Sequence, residues 1–279
     1  MKKTILRVAL SGLLCALMLS GHPMAAAADD VAESSQAWFE KGLKLDQRKQ
    51  YTKALSAYDI SVELNPENSA ALNNRGLVQQ RLGRYAASLE DFTRALKIRP
   101  DLATAYDNRG LSYKYLGKFD LAIADFTKAL ELTPDDAGIL YHRANVWGEL
   151  KETNKALADY TAALQLAPEN ADCYYNRGII YFNKNRLDDA ISDFTRAIHH
   201  SPKFAWAFHN RGLSWFQKEE MDRAIADFSR AIELQPDFAE AYYNRGLAHA
   251  DKGEFDQGIA DYTRAIEISP RAEWIKKRF

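Results

Sequence analysis

Two charged rows run through this chain in step. Lys41, Arg75, Arg109, Arg143, Arg177, Arg211 and Arg245 follow one another at intervals of 34 residues. Sixteen residues after each Arg stands an Asp: Asp91, Asp125, Asp159, Asp193, Asp227 and Asp261. Ala57 takes that place after Lys41. Asp is present wherever the base is Arg and missing where it is Lys, which predicts a recurring ion pair. A structural ion pair is the reading, over a ligand-binding Arg ladder, and removing one partner of a buried pair strands the other charge. Other reactive groups make no constellation. His199 and His200 are adjacent, so on a helix they diverge and do not chelate together. No Gly-rich phosphate loop, nucleophile elbow or His-Glu-x-x-His run is present. The acids recur because a unit recurs, and a regular array rarely builds the unique geometry that catalysis needs. The reading is non-enzymatic, with no cofactor and no metal.

The elements that hold these rows follow from a second period. Pro66, Pro100, Pro134, Pro168, Pro202, Pro236 and Pro270 recur at the same interval. A fixed period of this length marks one supersecondary unit used repeatedly. With each proline at position 32, repeats begin at residues 35, 69, 103, 137, 171, 205 and 239. Position 8 is small: Gly42, Gly76, Gly110, Ala144, Gly178, Gly212 and Gly246. Position 20 is small as well, from Ala54 to Gly258. Position 24 is aromatic: Tyr58, Phe92, Phe126, Tyr160, Phe194, Phe228 and Tyr262. Positions 2–14 and 18–31 carry apolar residues at helical spacing. Turn residues such as Leu82-Gly83-Arg84 separate them, and the proline stops the second helix, because the residue before it is pushed out of helical angles. Each unit is thus a helix–turn–helix. Small residues let its helices approach, and the aromatic fills what space remains. The fourth repeat departs most, with His142, Ala144, Gly148 and Thr153.

Residues 1–28 read differently. Lys2, Lys3 and Arg7 precede an apolar run from Val8 to Leu19, and Ala25–Ala28 offer small residues for cleavage. This is the pattern of a secretory signal peptide, too short for a stable membrane span, so the chain is expected in the periplasm or outside the cell. Once it is removed no membrane span is left. The remainder is weakly acidic, since 38 acids face 37 bases over the whole chain and three of the bases lie in the leader. Nucleic acid, which needs a clustered basic surface, is not the expected partner. Cys173 is left as the one cysteine after cleavage, so no internal disulfide forms, and it reads as a partly buried, unreactive thiol.

The small residues at 8, 20 and 27, the aromatic at 24 and the proline at 32 resemble the tetratricopeptide repeat family over residues 35–270. A base at position 7, where the family usually has Leu, is the consistent departure. The resemblance implies an all-α, right-handed α-solenoid of seven 34-residue helix-turn-helix repeats. Residues 29–34 are a polar lead-in, and 271–279 form a short capping helix with Trp274 and Ile275 on the last apolar face. It further implies that positions 2, 5, 6, 9, 12 and 13 line an inner groove. Position 6 there holds Asn74, Asn108, Asn176, Asn210 and Asn244, with Glu40 and His142 in the other two repeats. A carboxamide both donates and accepts, so such a row grips a peptide bond whatever its side chain, or else bonds neighbouring helices. Tyr141, Tyr175, His209 and Tyr243 at position 5, Trp206 at position 2, and Phe182 and Phe216 at position 12 add aromatic surface in the last four repeats. Exposed aromatics beside Asn suit an extended protein or peptide partner. The resulting reading is an interaction scaffold of the cell envelope. A carbohydrate ligand stacked on Tyr and Trp, or self-association of arrays, are the alternatives, and the oligomeric state is left open.

Overall fold

A computed structural model describes residues 24–270 of the chain, with side chains from residue 34 onward. Fourteen helices and no strand occur among the described residues. In chain order they are α1 (Met24–Gln47), α2 (Tyr51–Leu64), α3 (Ser69–Arg81), α4 (Tyr85–Ile98), α5 (Ala103–Tyr115), α6 (Phe119–Leu132) and α7 (Ala137–Glu149). Then come α8 (Thr153–Leu166), α9 (Ala171–Asn183), α10 (Leu187–His200), α11 (Ala205–Gln217), α12 (Met221–Leu234), α13 (Ala239–Asp251) and α14 (Phe255–Ile268). Odd-numbered helices are the first of each repeat and even-numbered ones the second. The chain divides into two compact units, Met1–Pro134 with α1–α6 and Asp135–Phe279 with α7–α14. Residues 1–23 of the expected leader and 271–279 of the expected cap lie outside the described residues. The segment 29–34 is helical, because α1 starts at Met24 and runs on without a break.

Each hairpin closes on the contact between positions 8 and 24. A Cβ placed on Gly178 would come within 2.8 Å of the Phe194 ring, and one on Gly212 within 2.8 Å of Phe228. Glycine is therefore required by close approach there. The fourth repeat accommodates Ala144 against Tyr160, both buried, and the Tyr160 hydroxyl donates to Asn145 Oδ1 at 2.6 Å.

Helix ends follow two rules. The second helices end in a non-helical residue whose N–H bonds back to position 27, as Arg99 does to Ala95 O and Ser201 to Ala197 O, just ahead of the proline. The first helices end in a left-handed residue at position 15 in every repeat: Lys49, Gly83, Gly117, Lys151, Asn185, Glu219 and Gly253, with φ between 57° and 81°.

Apolar cores lie between successive hairpins. In the first unit Phe39, Val62, Leu72 and Ala95 pack together. In the second, Ala205, Ala231, Ile232, Phe238 and Ala241 do the same. Each such interface hides faces that one hairpin cannot bury alone, at about 1.5–3 kcal/mol for each large apolar side chain fully enclosed. Position 17 and position 21 of α12, Met221 and Ile225, are half-buried. Their counterparts on α14, Phe255 and Ile259, are 65 % and 62 % exposed. No helix among the described residues is long and apolar enough to cross a membrane.

Candidate binding face

The charged rows meet within each hairpin. Arg177 donates from Nε to Asp193 Oδ2 at 2.7 Å and from Nη2 to Oδ1 at 2.8 Å. The same fork joins Arg75 to Asp91, Arg109 to Asp125, Arg143 to Asp159, Arg211 to Asp227 and Arg245 to Asp261. All six Asp side chains are buried. Bidentate pairing uses the planar fork of Arg, a geometry that Lys lacks. The hydrogen bonds to Asp125 and Asp261 hold the Arg109 and Arg245 guanidinium groups above the usual arginine range, while burial works the other way.

A third contact was not legible in the two rows. The remaining nitrogen of the fork reaches back to position 25 of the preceding repeat. Arg177 Nη1 donates to Thr161 Oγ1 at 3.1 Å, Arg211 to Thr195 at 3.0 Å and Arg245 to Ser229 Oγ at 3.0 Å. In the first unit Arg75 meets Asp59 at 3.0 Å and Arg109 meets Thr93 at 3.2 Å. Each of these Arg residues therefore ties three helices. A hydroxyl or carboxylate recurring at position 25 was the available signal.

The position-6 row acts between first helices. Asn176 Nδ2 donates to the Tyr141 hydroxyl at 3.2 Å and to Asn145 Oδ1 at 3.0 Å. Asn210 Nδ2 donates to the Tyr175 hydroxyl at 3.0 Å and to Trp206 O at 2.9 Å, and Asn244 Nδ2 meets His209 Nε2 at 2.9 Å. Position 6 of one repeat thus meets position 5 of the one before. In the first unit Asn108 reaches Asn73 Oδ1 at 3.3 Å, and Asn74 turns back to Ala70 O in its own helix. The sequence allows each Asn to grip a peptide bond at both ends. In the structure the donor end is engaged between helices, and the hydrogen bonds of Asn176, Asn210 and Asn244 among the described residues all run through Nδ2. Oδ1 is the atom left to accept.

The aromatics divide. Tyr141 packs on Tyr160, Tyr175 on Phe194, His209 on Phe228 and Tyr243 on Tyr262, with ring centroids 5.6–6.1 Å apart. Position 5 thus meets position 24 of its own hairpin. His209 and Tyr243 are buried, and Tyr141 and Tyr175 half-buried, so the expectation of an exposed aromatic row is corrected at this position. For Tyr175 and His209 the reason lies in residues that the six groove positions leave out. Phe204 and Phe238 stand at position 34, where Asn68, Asp136 and Asn170 cap helices with their side chains. Phe204 covers Tyr175 at 4.7 Å, and Phe238 covers both His209 at 4.8 Å and Trp206 at 4.4 Å. Replacement of a polar cap by Phe was the signal for this layer. Phe182 and Phe216 are half-buried. Trp206 stands on its Phe238 platform with 44 % of its surface exposed.

His209 is held neutral. Burial pushes its imidazole down to about 4, and Nδ1 has no hydrogen bond of normal geometry. The Cys173 thiol is buried and pushed up to about 12 by that burial, with Sγ 3.5 Å from Tyr160 O. Among the described residues no three metal-ligating side chains converge.

Positions 2, 5, 6, 9, 12 and 13 fall within one arc of a helix turning 100° per residue. The Asn contacts line up these arcs on α7, α9, α11 and α13 as one face of the second unit, with Trp206 on it.

Comparisons with known proteins agree with this architecture. Family models described as tetratricopeptide repeat match residues 67–135, and 171–204 with 239–271. A model described as TPR repeat matches 148–185 and 214–253. Together they span more than half of the chain. No curated protein sequence matches the chain. Among solved structures, YrrB, described as a TPR protein with an unusual peptide-binding site, is 26 % identical. The match covers 70 % of this chain and 98 % of that one, with a TM-score of 0.57. A tetratricopeptide repeat protein from Parabacteroides merdae is 22 % identical, covering 88 % and 97 %, with a TM-score of 0.64. The pilF protein of Pseudomonas aeruginosa is 16 % identical, covering 75 % and 95 %, with a TM-score of 0.67. At those two identities the likeness is one of fold.

Proposed function

This chain belongs to the tetratricopeptide repeat family, and we propose that it is a non-enzymatic scaffold that holds an extended segment of a partner protein on the first-helix face of its second unit. The observation that carries this reading is the continuous face of α7, α9, α11 and α13. Asn176, Asn210 and Asn244 recur along it at repeat spacing with Nδ2 engaged, which leaves Oδ1 to accept, and Trp206 stands exposed among them. Main-chain N–H groups of an extended segment suit a row of acceptors, and an exposed Trp on a rigid base suits an anchor side chain. The peptide-binding site named for YrrB supports the same use of the fold.

The carbohydrate alternative is weaker on this geometry. Stacking on sugar needs several open ring faces, and the position-5 rings are spent on their own hairpins. The proposal extends to location. The leader pattern of residues 1–28 supports export to the periplasm or beyond, and the proposed partner is then one of the cell envelope.

Selection of peptides from a random displayed library tests the reading. The selected peptide should bind the chain and lose at least about tenfold in affinity when Trp206→Ala and Asn210→Ala are combined, a truncation expected to cost about 1.4 kcal/mol or more. Helicity and melting temperature serve as the control. Recovery of no peptide, or binding unaffected by the double variant, would count against it.

A further inference from the structure

The first-helix face of the second unit is charged in one sense only. Along α7, α9, α11 and α13, positions 2, 5, 6, 9, 12 and 13 include Glu149, Asp172, Glu240 and Asp251 and no lysine or arginine. Asp172, Glu149 and Asp251 are exposed and Glu240 is half-buried. Several nearby bases are engaged elsewhere. The position-7 arginines are held in their forks, and the lysines that follow α9, α11 and α13 bond to position 18 of the preceding repeat. Lys184 meets Asn154, Lys218 meets Asp188 and Lys252 meets Asp222. His209 adds no charge, because it is enclosed and neutral. The first unit differs: its corresponding positions include Arg81 and Lys114 beside their acids.

Trp206 stands in the middle of this pattern. It occupies position 2 of α11, with Asp172 at position 2 of α9 on one side and Glu240 at position 2 of α13 on the other. Neighbouring helix axes lie about 8–10 Å apart. A cation resting on the open face of the indole is therefore one helix spacing from each carboxylate. An indole is the best aromatic partner for a Lys or Arg head group, and the two flanking acids favour the same sign.

From this we infer that the segment held on the second unit is cationic: an extended chain whose Lys or Arg side chains bracket Trp206. The inference rests on the scaffold reading above. The three spacings between these four helices set its length at about seven to nine residues, at roughly 3.3–3.6 Å per residue of extended chain. Its backbone N–H groups meet the Asn Oδ1 row, one basic side chain lies on Trp206 between Asp172 and Glu240, and others answer Glu149 and Asp251 at the far end of the helices. An acidic segment would bring like charges onto every one of these residues, which is how a face rejects wrong partners.

Three synthetic peptides of that length test it. They share one apolar framework and differ only in carrying Arg and Lys, Gln, or Glu at alternate positions. Fluorescence anisotropy with the full chain reads their affinities at low and high salt. The basic peptide should bind about tenfold or more tighter than the Glu peptide, and salt should narrow the gap. The combined variant Asp172→Asn, Glu240→Gln should remove most of the gap while leaving the Gln peptide's affinity and the melting temperature unchanged. Trp206→Ala should weaken the basic peptide more than the Gln peptide. Equal binding of all three, preference for the Glu peptide, or a gap that survives the neutralising variant overturns the inference and leaves the scaffold reading standing. Binding of none of the three removes both.

Discussion

His209 shows how much one side chain in this molecule depends on its cover. Phe228, Phe238 and Trp206 enclose it and Asn244 meets Nε2, so the ring stays neutral with its proton affinity pushed down to about 4. The unfolded chain regains an ordinary histidine near 6.5. Below that value the unfolded state binds the extra proton and the folded state does not, so stability is full above about pH 6.5 and falls as pH drops toward 4. Between pH 7 and pH 5 the loss from this residue comes to about 2 kcal/mol. Urea unfolding at both values should show that slope in the parent chain and lose it in His209→Phe. The forks give a second test at this scale. Asp193→Ala leaves Arg177 buried without its carboxylate and should cost about 3 kcal/mol, the lower end for a broken buried pair. A change in urea unfolding below ~0.5 kcal/mol, typical of surface substitutions, would contradict the buried role. The matched Arg and Asp rows were legible because two residue types covaried across seven copies. The cover over Tyr175 and His209 was not, because it is supplied by Phe204 and Phe238, which stand between the helices and outside the six groove positions.

At the scale of the element, the turn inside each hairpin carries a testable strain. Position 15 is left-handed in all seven repeats, yet Lys49, Lys151, Asn185 and Glu219 occupy it beside three glycines. An L-residue pays roughly 1–2 kcal/mol there, and glycine gives back part of the gain through its freer unfolded chain. Glu219→Gly and Lys151→Gly should each stabilise the chain by about 0.5–1 kcal/mol in chemical denaturation. No gain at either site would show that local contacts already offset the strain. Gly83 and Gly117 marked this turn in the sequence, whereas Lys151 and Glu219 gave no conformational signal of their own. The hairpins themselves were legible from helical spacing and from the proline that ends each second helix. The start of α1 at Met24 was not, since the repeat pattern begins only at residue 35.

The whole molecule is a sum of like parts, and the proposed function rests on the face that the first helices of the second unit make together. Repetition made the fold readable, because seven noisy copies of one pattern average into a clear one. It also hides the partner, because residues that recur for packing and residues that recur for binding look alike in a sequence. Within the second unit the Arg–Asp forks and position-5 rings are engaged with neighbouring helices, while the Asn row, Trp206 and the acids share one face, the one proposed to hold the partner. That division is the central claim, and hydrogen exchange on the chain with and without a saturating peptide tests it most directly. Bound peptide should slow exchange along α9, α11 and α13 around Asn176, Asn210 and Asn244 and leave α10, α12 and α14 unchanged. Protection concentrated on the second helices, with none around those asparagines, would contradict it.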